Sequence, residues 1–191
     1  MLVSGRPATS PATLDAIVDD LIARVPAPLT LIPGLWPVPH GRAGVGDDAL
    51  RALLADDWGG TKMSAAKLGK LIDAQLVSRY SELGADHPDG RDLGIAVDGE
   101  TVGRLLLDLD EEHAADGPAV VLVDIAVRPD RQRQGIGGRV ARALMAAAAA
   151  RHHAVRATGV YGSPTLTWLL GLGLVDIGGD ALYRQLLWAG D

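Results

Sequence analysis

Glycines and arginines cluster in residues 131–139, directly after an apolar, β-branched segment. That segment must end as a strand at Pro129, because proline lacks the N–H that ladder pairing needs. Residues 135–138 read Gly-Ile-Gly-Gly and open an alanine-rich stretch typical of a helix. Such a turn leaves bare N–H groups at the positive end of a helix dipole, which favours a phosphorylated ligand. The arginines that add positive charge beside it are Arg131, Arg133 and Arg139.

Two nucleotide-binding motifs do not fit this turn. A Walker loop requires a lysine after its glycines, and none stands there. The dinucleotide fingerprint begins at Gly135 and Gly137, but Val140 occupies the position of its third glycine. Residues 155–160, which read as the next strand, also lack the expected carboxylate. An ordinary glycine-rich strand-to-helix connection remains the alternative to a phosphate site.

The spacing Gln132-x-x-Gly135-x-Gly137 resembles the acetyl-CoA motif of the GNAT family of N-acyltransferases. The predicted order of elements from residue 91 onward, β-β-β-α-β-α-β-β, is also similar to the GNAT fold. This resemblance implies an α/β (α+β) fold with a mixed, mostly antiparallel sheet, flanking helices and a splayed central strand pair. It implies residues 47–191 as an acyl-CoA N-acyltransferase domain, with residues 1–46 as an N-terminal extension or first-strand region.

Hydrophobic periodicity and turn residues predict the individual elements. The predicted helices cover residues 12–24, 47–57, 64–83 and 137–152, with a short helix from Ser163-Pro164 to about residue 171. The predicted strands cover residues 93–97, 102–109, 120–127, 155–161, 174–177 and 181–188. Asp98-Gly99 predicts a tight hairpin between the first two of these strands. Five prolines in residues 26–39 permit a short edge strand or a loop but exclude a helix.

The resemblance also implies acetyl-CoA as co-substrate and assigns residues to it. The strand before the glycine turn would splay from its parallel neighbour at residues 155–161. The pantetheine arm would then meet the backbone of Ile125, Ala126 and Val127 in the gap between them. The residues implied to hold the diphosphate, mainly through backbone N–H groups, are Gln132, Arg133, Gln134, Gly135, Ile136, Gly137, Gly138 and Arg139.

Asp124 is the first candidate for a general base, because it is the only charged side chain in the apolar segment 119–127. A partly desolvated carboxylate beside the thioester is suited to accept a proton. A structural ion pair or a solvated sheet edge is the alternative for Asp124. The acidic cluster of residues 108–113 favours a solvated loop, which could attract a cationic acceptor.

The general acid is less well marked. Many GNAT members carry a tyrosine where this chain has Leu169. Tyr161 is the candidate instead, with Ser163 as a second one. A half-buried strand aromatic is the alternative for Tyr161.

Composition limits the remaining classes of function. The 191-residue chain has 48% hydrophobic residues, no cysteine and a net charge of −6. It therefore predicts one folded domain without disulfides, thiol nucleophiles or a metal site. The acidic balance argues against nucleic acid, including charged tRNA. No segment has the length or composition of a membrane span or secretory signal, so we expect a cytoplasmic protein, with a homodimer left open.

The function that these observations favour is N-acetyl transfer. The acetyl group would pass from acetyl-CoA to a primary amine, small-molecule or peptide, by direct attack in a ternary complex. A non-catalytic acyl-CoA sensor or partner subunit on the same fold is the alternative.

Overall fold

The computed structural model describes residues 11–34, 87, 89–110 and 117–190. The helices predicted at 47–57 and 64–83 lie outside these residues.

The described elements follow the predicted order closely. They are α1 (Pro11–Arg24), β1 (Leu29–Pro33), β2 (Arg91–Val97), β3 (Glu100–Asp110), β4 (Ala119–Val127), a 3₁₀ turn (Pro129–Arg131), α2 (Ile136–Ala149), β5 (Ala154–Val160), α3 (Pro164–Gly171), β6 (Val175–Gly179) and β7 (Tyr183–Trp188). The strands form one sheet in the order β1-β2-β3-β4-β5-β7-β6. Among these strands β4 and β5 are the parallel neighbours, and the other pairs are antiparallel. The expectation of a mixed, mostly antiparallel sheet flanked by helices is confirmed.

Local sequence accounts for the ends of several elements. Asp98 and Gly99 both have positive φ, 51° and 81°, which is the backbone that a two-residue hairpin turn requires. Ser163 caps α3 by accepting a hydrogen bond from the Leu166 N–H at 3.1 Å. The proline-rich segment after α1 contributes β1, an edge strand paired with β2. The helix predicted to reach residue 152 ends at Ala149, three residues earlier.

The apolar core lies on one face of the sheet, beneath α1, α2 and α3. α1 contributes an apolar stripe that includes Leu14, Ile17 and Leu21, each at most 2% exposed. α2 packs against the same core through Val140 and Leu144, both fully buried. α1 also lies against α2, so the N-terminal helix shares the core of the sheet.

A buried ion pair lies on the opposite face of the sheet. Asp92 of β2 accepts two hydrogen bonds from the Arg104 guanidinium of β3, at 2.7 and 3.1 Å. Their side chains are 0% and 1% exposed. In the alternating strands, Asp92 and Arg104 point away from Leu93 and Leu105, which belong to the apolar core. This face therefore carries charge in a place from which water is excluded.

We predict that Asp92→Asn lowers the free energy of unfolding by about 3–5 kcal/mol, because it removes a buried carboxylate that accepts two hydrogen bonds from the buried Arg104 guanidinium. Urea unfolding measures the change. Asp176→Asn is the matched control, because it weakens the exposed Asp176–Arg184 pair and should lower the free energy of unfolding much less. Equal losses in the two variants would contradict the prediction.

Candidate active site

The middle of the sheet opens where β4 leaves β5. The parallel pairing of the two strands covers only residues 119–122 of β4 and 154–157 of β5. Opposite β3, Leu122 pairs with Leu107 and Asp124 with Leu106, so Val123 is an extra residue that forms a bulge. Beyond it, among the described strands, β4 pairs only with β3 and β5 only with β7. The predicted splay is confirmed, and it leaves two unpaired strand edges facing each other.

The unpaired stretch of β4 contains Ile125, Ala126 and Val127. The Ala126 carbonyl oxygen would collide with a Cβ on Gly103 of β3, so it points toward β3 and away from the gap. Backbone groups alternate in direction along a strand, and those of Ile125 and Val127 therefore point into the gap. The Gln132 side-chain amide already donates to the Val127 carbonyl at 3.0 Å.

The glycine turn follows at the open end of β4. Gly135 is the N-cap of α2 with φ 74°, a left-handed conformation that glycine adopts without steric cost, and no side chain caps the helix. The first N–H groups of a helix have no acceptor within the helix, so those at the start of α2 are available to a ligand. The first turn of α2 has no acidic side chain. The turn is therefore rich in donors and lies at the positive end of the helix dipole.

Glycine at position 137 serves packing as well as exposure. A Cβ there would lie 3.4 Å from the Trp168 ring of α3 and 3.9 Å from Ile125 Cδ1. The start of α2 is thus seated against both α3 and the gap-lining part of β4. This contact fixes the direction in which the bare N–H groups point.

An arginine–carboxylate cluster fixes the segment between β4 and the glycine turn. Arg128 donates to Asp130 at 2.7 and 2.9 Å and to Glu100 at 2.7 Å, and Arg131 donates to Glu100 as well. The Arg128 and Arg131 guanidinium groups hold the pKa of the Glu100 carboxyl below its usual 4.5. Arg128 likewise lowers the pKa of Asp130.

This cluster corrects the role expected of Arg131. Its charge is paired with Glu100 rather than left open beside the glycines. Among the described residues, the arginines of the turn without a carboxylate partner are Arg133 and Arg139. No pattern in the sequence pointed to Glu100, which is 31 residues from Arg131 and reaches it only through the pairing of β3 with β4.

We predict that Arg128→Gln raises the pKa of the Glu100 carboxyl toward 4.5, because the hydrogen bond from Arg128 is the largest cause of its depression. Because the pKa of Glu100 is lower in the folded state, its hydrogen bonds to Arg128 and Arg131 stabilise the protein above pH 4.5. This stabilisation is lost as the pH falls through the folded-state pKa of Glu100. NMR titration of the Glu100 side-chain carboxyl carbon measures this pKa.

Arg184→Gln is the matched control for this titration. It should raise the pKa of Asp176, which Arg184 depresses, and leave that of Glu100 unchanged. An unchanged Glu100 pKa in Arg128→Gln would contradict the hydrogen bond between Arg128 and Glu100.

Asp124 is the first residue after the bulge and is half-buried. Its cross-strand partner Leu106 is fully buried and in turn pairs with Asp92. Directly paired residues share a face of the sheet. Asp124 therefore lies on the same face as the Asp92–Arg104 pair, diagonal to Arg104, and at the start of the gap.

The other predicted residues are placed as follows. Tyr161 directly follows β5, on the opposite side of the gap from β4, and its side chain is 71% exposed, so the alternative of a half-buried strand aromatic is wrong. Ser163 Oγ is engaged as the α3 cap. Leu169, where the resemblance implies a tyrosine, is only 2% exposed.

The acidic cluster is only partly a loop. Asp108 and Asp110 lie in β3, which corrects the expectation of a solvated loop there. The Asp108 carboxylate is hydrogen-bonded to His87 Nδ1 at 2.5 Å. The cluster's remaining residues, 111–113, lie outside the described part of the chain.

The comparisons with known proteins agree with this geometry. The family model described as "Acetyltransferase (GNAT) family" matches residues 44–161, more than half of the chain. The chain belongs to the GNAT acetyltransferase family. A comparison with curated proteins gives no match.

Solved structures show the same GNAT fold. A protein from Pyrococcus horikoshii has a TM-score of 0.56 at 9% identity, over 85% of this chain and 99% of its own. An acetyltransferase from Thermus thermophilus has a TM-score of 0.54 at 17% identity, over 84% and 96%. A GNAT family acetyltransferase from Elizabethkingia anophelis, with acetyl-CoA bound, has a TM-score of 0.50 at 18% identity, over 86% and 99%.

None of the helices in the described residues is long and apolar enough to cross a membrane.

Proposed function

We propose that this GNAT protein transfers an acetyl group from acetyl-CoA to a primary amine of a small molecule or peptide, within a ternary complex. The observation that carries the proposal is the position of the glycine turn. Gly135, the N-cap of α2, follows the unpaired edge of β4 at Val127 by eight residues. A diphosphate site thus adjoins an open strand edge suited to an amide-bearing arm.

The two parts of the donor would meet different chemistry in this site. The diphosphate is a divalent anion, and the N–H groups of residues 132–138 with Arg133 and Arg139 would satisfy it. The pantetheine arm carries two amides, and the backbone of Ile125 and Val127 would pair with them as a neighbouring strand does. The thioester would then lie in the narrow part of the gap, near Asp124.

Asp124 would act as the general base and Tyr161 as the general acid. The carboxylate, directly or through a water, takes a proton from the ammonium form of the acceptor, and the free amine attacks the thioester carbonyl carbon. The new C–N bond forms, the C–S bond breaks, and Tyr161 protonates the departing thiolate. The nitrogen gives its second proton to the solvent as the amide forms, and the tyrosinate takes a proton back from the solvent. The products are an N-acetylated amine and free CoA, and no acyl-enzyme is required.

Acyl-CoA binding without turnover is the second candidate function. It is favoured by the buried Leu169, which cannot donate a proton where many family members carry a tyrosine. The distinction rests on whether thiol is released from acetyl-CoA in the presence of an amine.

We further propose residues 47–191 as the acyltransferase domain and residues 1–46 as its first-strand region with an added helix. The pairing of β1 with β2 supports the first-strand assignment, and the packing of α1 on the shared core supports a helix added to the same fold.

We predict that Gly135→Glu weakens CoA binding at least about tenfold relative to Gly135→Gln, because its carboxylate would repel the diphosphate at close range. The two substitutions place the same strain on the left-handed backbone and differ only in charge. Calorimetric titration with CoA measures both. Equal affinities in the two variants would show that the diphosphate lies elsewhere.

We predict that Asp124→Asn lowers kcat about 10²- to 10⁴-fold, the usual contribution of a general base, while CoA affinity stays the same. Free thiol release from acetyl-CoA across a panel of primary amines measures turnover, and Asp176→Asn serves as the control. An Asp124→Asn variant with kcat within about threefold of the parent would exclude Asp124 as the base. A parent protein that binds CoA but turns over no amine would favour the sensor.

A further inference from the structure

An arginine-lined cleft lies between the end of α1 and the first half of α2. It has a volume of about 390 Å³ and is lined by Arg24, Pro26, Arg139, Arg142, Ala143 and Ala146. The three guanidinium groups come from two helices far apart in the sequence, in a chain whose net charge is −6. The fold thus brings three positively charged side chains together in this cleft, although the chain as a whole is acidic.

The cleft adjoins the glycine turn. Arg139 and Arg142 follow Gly135 by four and seven residues, about 6 and 10 Å along the helix axis. Side chains on a helix lean toward its N-terminus. Accordingly, Arg142 Nη1 lies 3.4 Å from the position that a Cβ would take on Gly138, one turn closer to the glycines.

The α1 side of the cleft lies at the same end of the sheet as the glycine turn. The segment after Arg24 leads into Leu29, which pairs with Val97 at the hairpin end of β2. That hairpin leads into Glu100, which holds Arg128 and Arg131 at the start of the glycine turn.

Arg139 and Arg142 lie near the start of α2, where positive charge is electrostatically unfavourable. Cations near a helix N-terminus oppose the helix dipole, and no acidic side chain in the first turn of α2 offsets them. None of the described residues gives the buried Arg139 Nε a hydrogen-bond partner, while its Nη2 donates to the Gln134 carbonyl oxygen at 3.5 Å. Arg24 is paired through Nε with Asp20 at 3.0 Å. An anion in the cleft would satisfy Arg139 and relieve the repulsion between guanidinium groups.

We infer that this cleft binds the 3′-phosphate of CoA and makes the protein selective for CoA over its 3′-dephospho form. The inference rests on the proposed donor site, because it takes the diphosphate to lie on the glycine turn. In CoA the 3′-phosphate and the diphosphate are carried on the same ribose. A phosphate group one sugar away from the glycine turn can therefore lie within reach of Arg139 and Arg142.

Calorimetric titration of the full chain with CoA and with 3′-dephospho-CoA tests the inference, since the two ligands differ only by that phosphate. We expect the parent protein to bind CoA at least about tenfold more tightly, in line with charge-assisted hydrogen bonds. Arg142→Met should remove most of this preference by weakening CoA alone, leaving the affinity for dephospho-CoA unchanged. Methionine keeps the apolar stem and the helix propensity of arginine.

Arg151→Met is the matched control, because Arg151 follows the opposite end of α2 and is exposed. It should retain the full preference for CoA. Arg24→Met tests the cleft from the other helix and should reduce the preference even if Arg142→Met were to perturb α2. Circular dichroism verifies that each variant is folded.

The outcomes separate this inference from the proposed function. If CoA binds but its preference over dephospho-CoA is absent, or survives in both Arg142→Met and Arg24→Met, the cleft assignment is wrong while the donor site stands. If neither ligand binds, the proposed function itself fails. If inorganic phosphate binds the parent protein as tightly as CoA does, the cleft is a general anion site and the inference is overturned.

Discussion

The separation of β4 from β5 in the middle of the sheet is the constraint on which the site depends. A sheet normally pairs every interior strand on both edges, because unpaired N–H and C=O groups removed from water are costly. Here the bulge at Val123 and the end of the parallel ladder after Leu122 leave interior strand edges unpaired. Such edges can be satisfied by a bound molecule that carries its own amides, which links the geometry of the sheet to the chemistry of its ligand.

The charged groups around the gap fall into two sets with different physical roles. Exposed clusters, such as Arg128 and Arg131 with Glu100 and Asp130, hold a surface segment in position and depress the pKa values of their carboxyls. The Asp92–Arg104 pair is buried on the face that also carries Asp124. Because these charges are removed from water, each needs its partner to offset the cost of desolvation. Removing one partner therefore destabilises the protein more on this face of the sheet than in the surface clusters.

The N-terminal segment is an integral part of the described fold. α1 contributes fully buried side chains to the core and lies against α2. Its last turn also brings Arg24 beside the two arginines of α2. The helix thereby combines a structural role in the core with a place in the wall of the arginine-lined cleft.

Much of the local structure was predictable from the sequence because it depends on neighbouring residues. Asp98-Gly99 specified a hairpin through positive φ, Pro129 ended β4, and Gly135 opened α2 at a turn with bare amides. The motif Gln132-x-x-Gly135-x-Gly137 indicated the family that the comparison then confirmed. These features are set within a few residues and need no knowledge of distant contacts.

Only the tertiary structure decided which distant groups meet. Arg131 looked like free positive charge in the sequence, yet strand pairing brings Glu100 to it. Asp108 looked like part of a loop but lies in β3, bonded to His87. The arginine-lined cleft joins residues 24 and 142, which no local pattern connects. Sequence spacing thus determined the turn that offers donors to an anion, whereas cross-strand register and helix packing decided which charges remain available, because these depend on contacts between residues far apart in the chain.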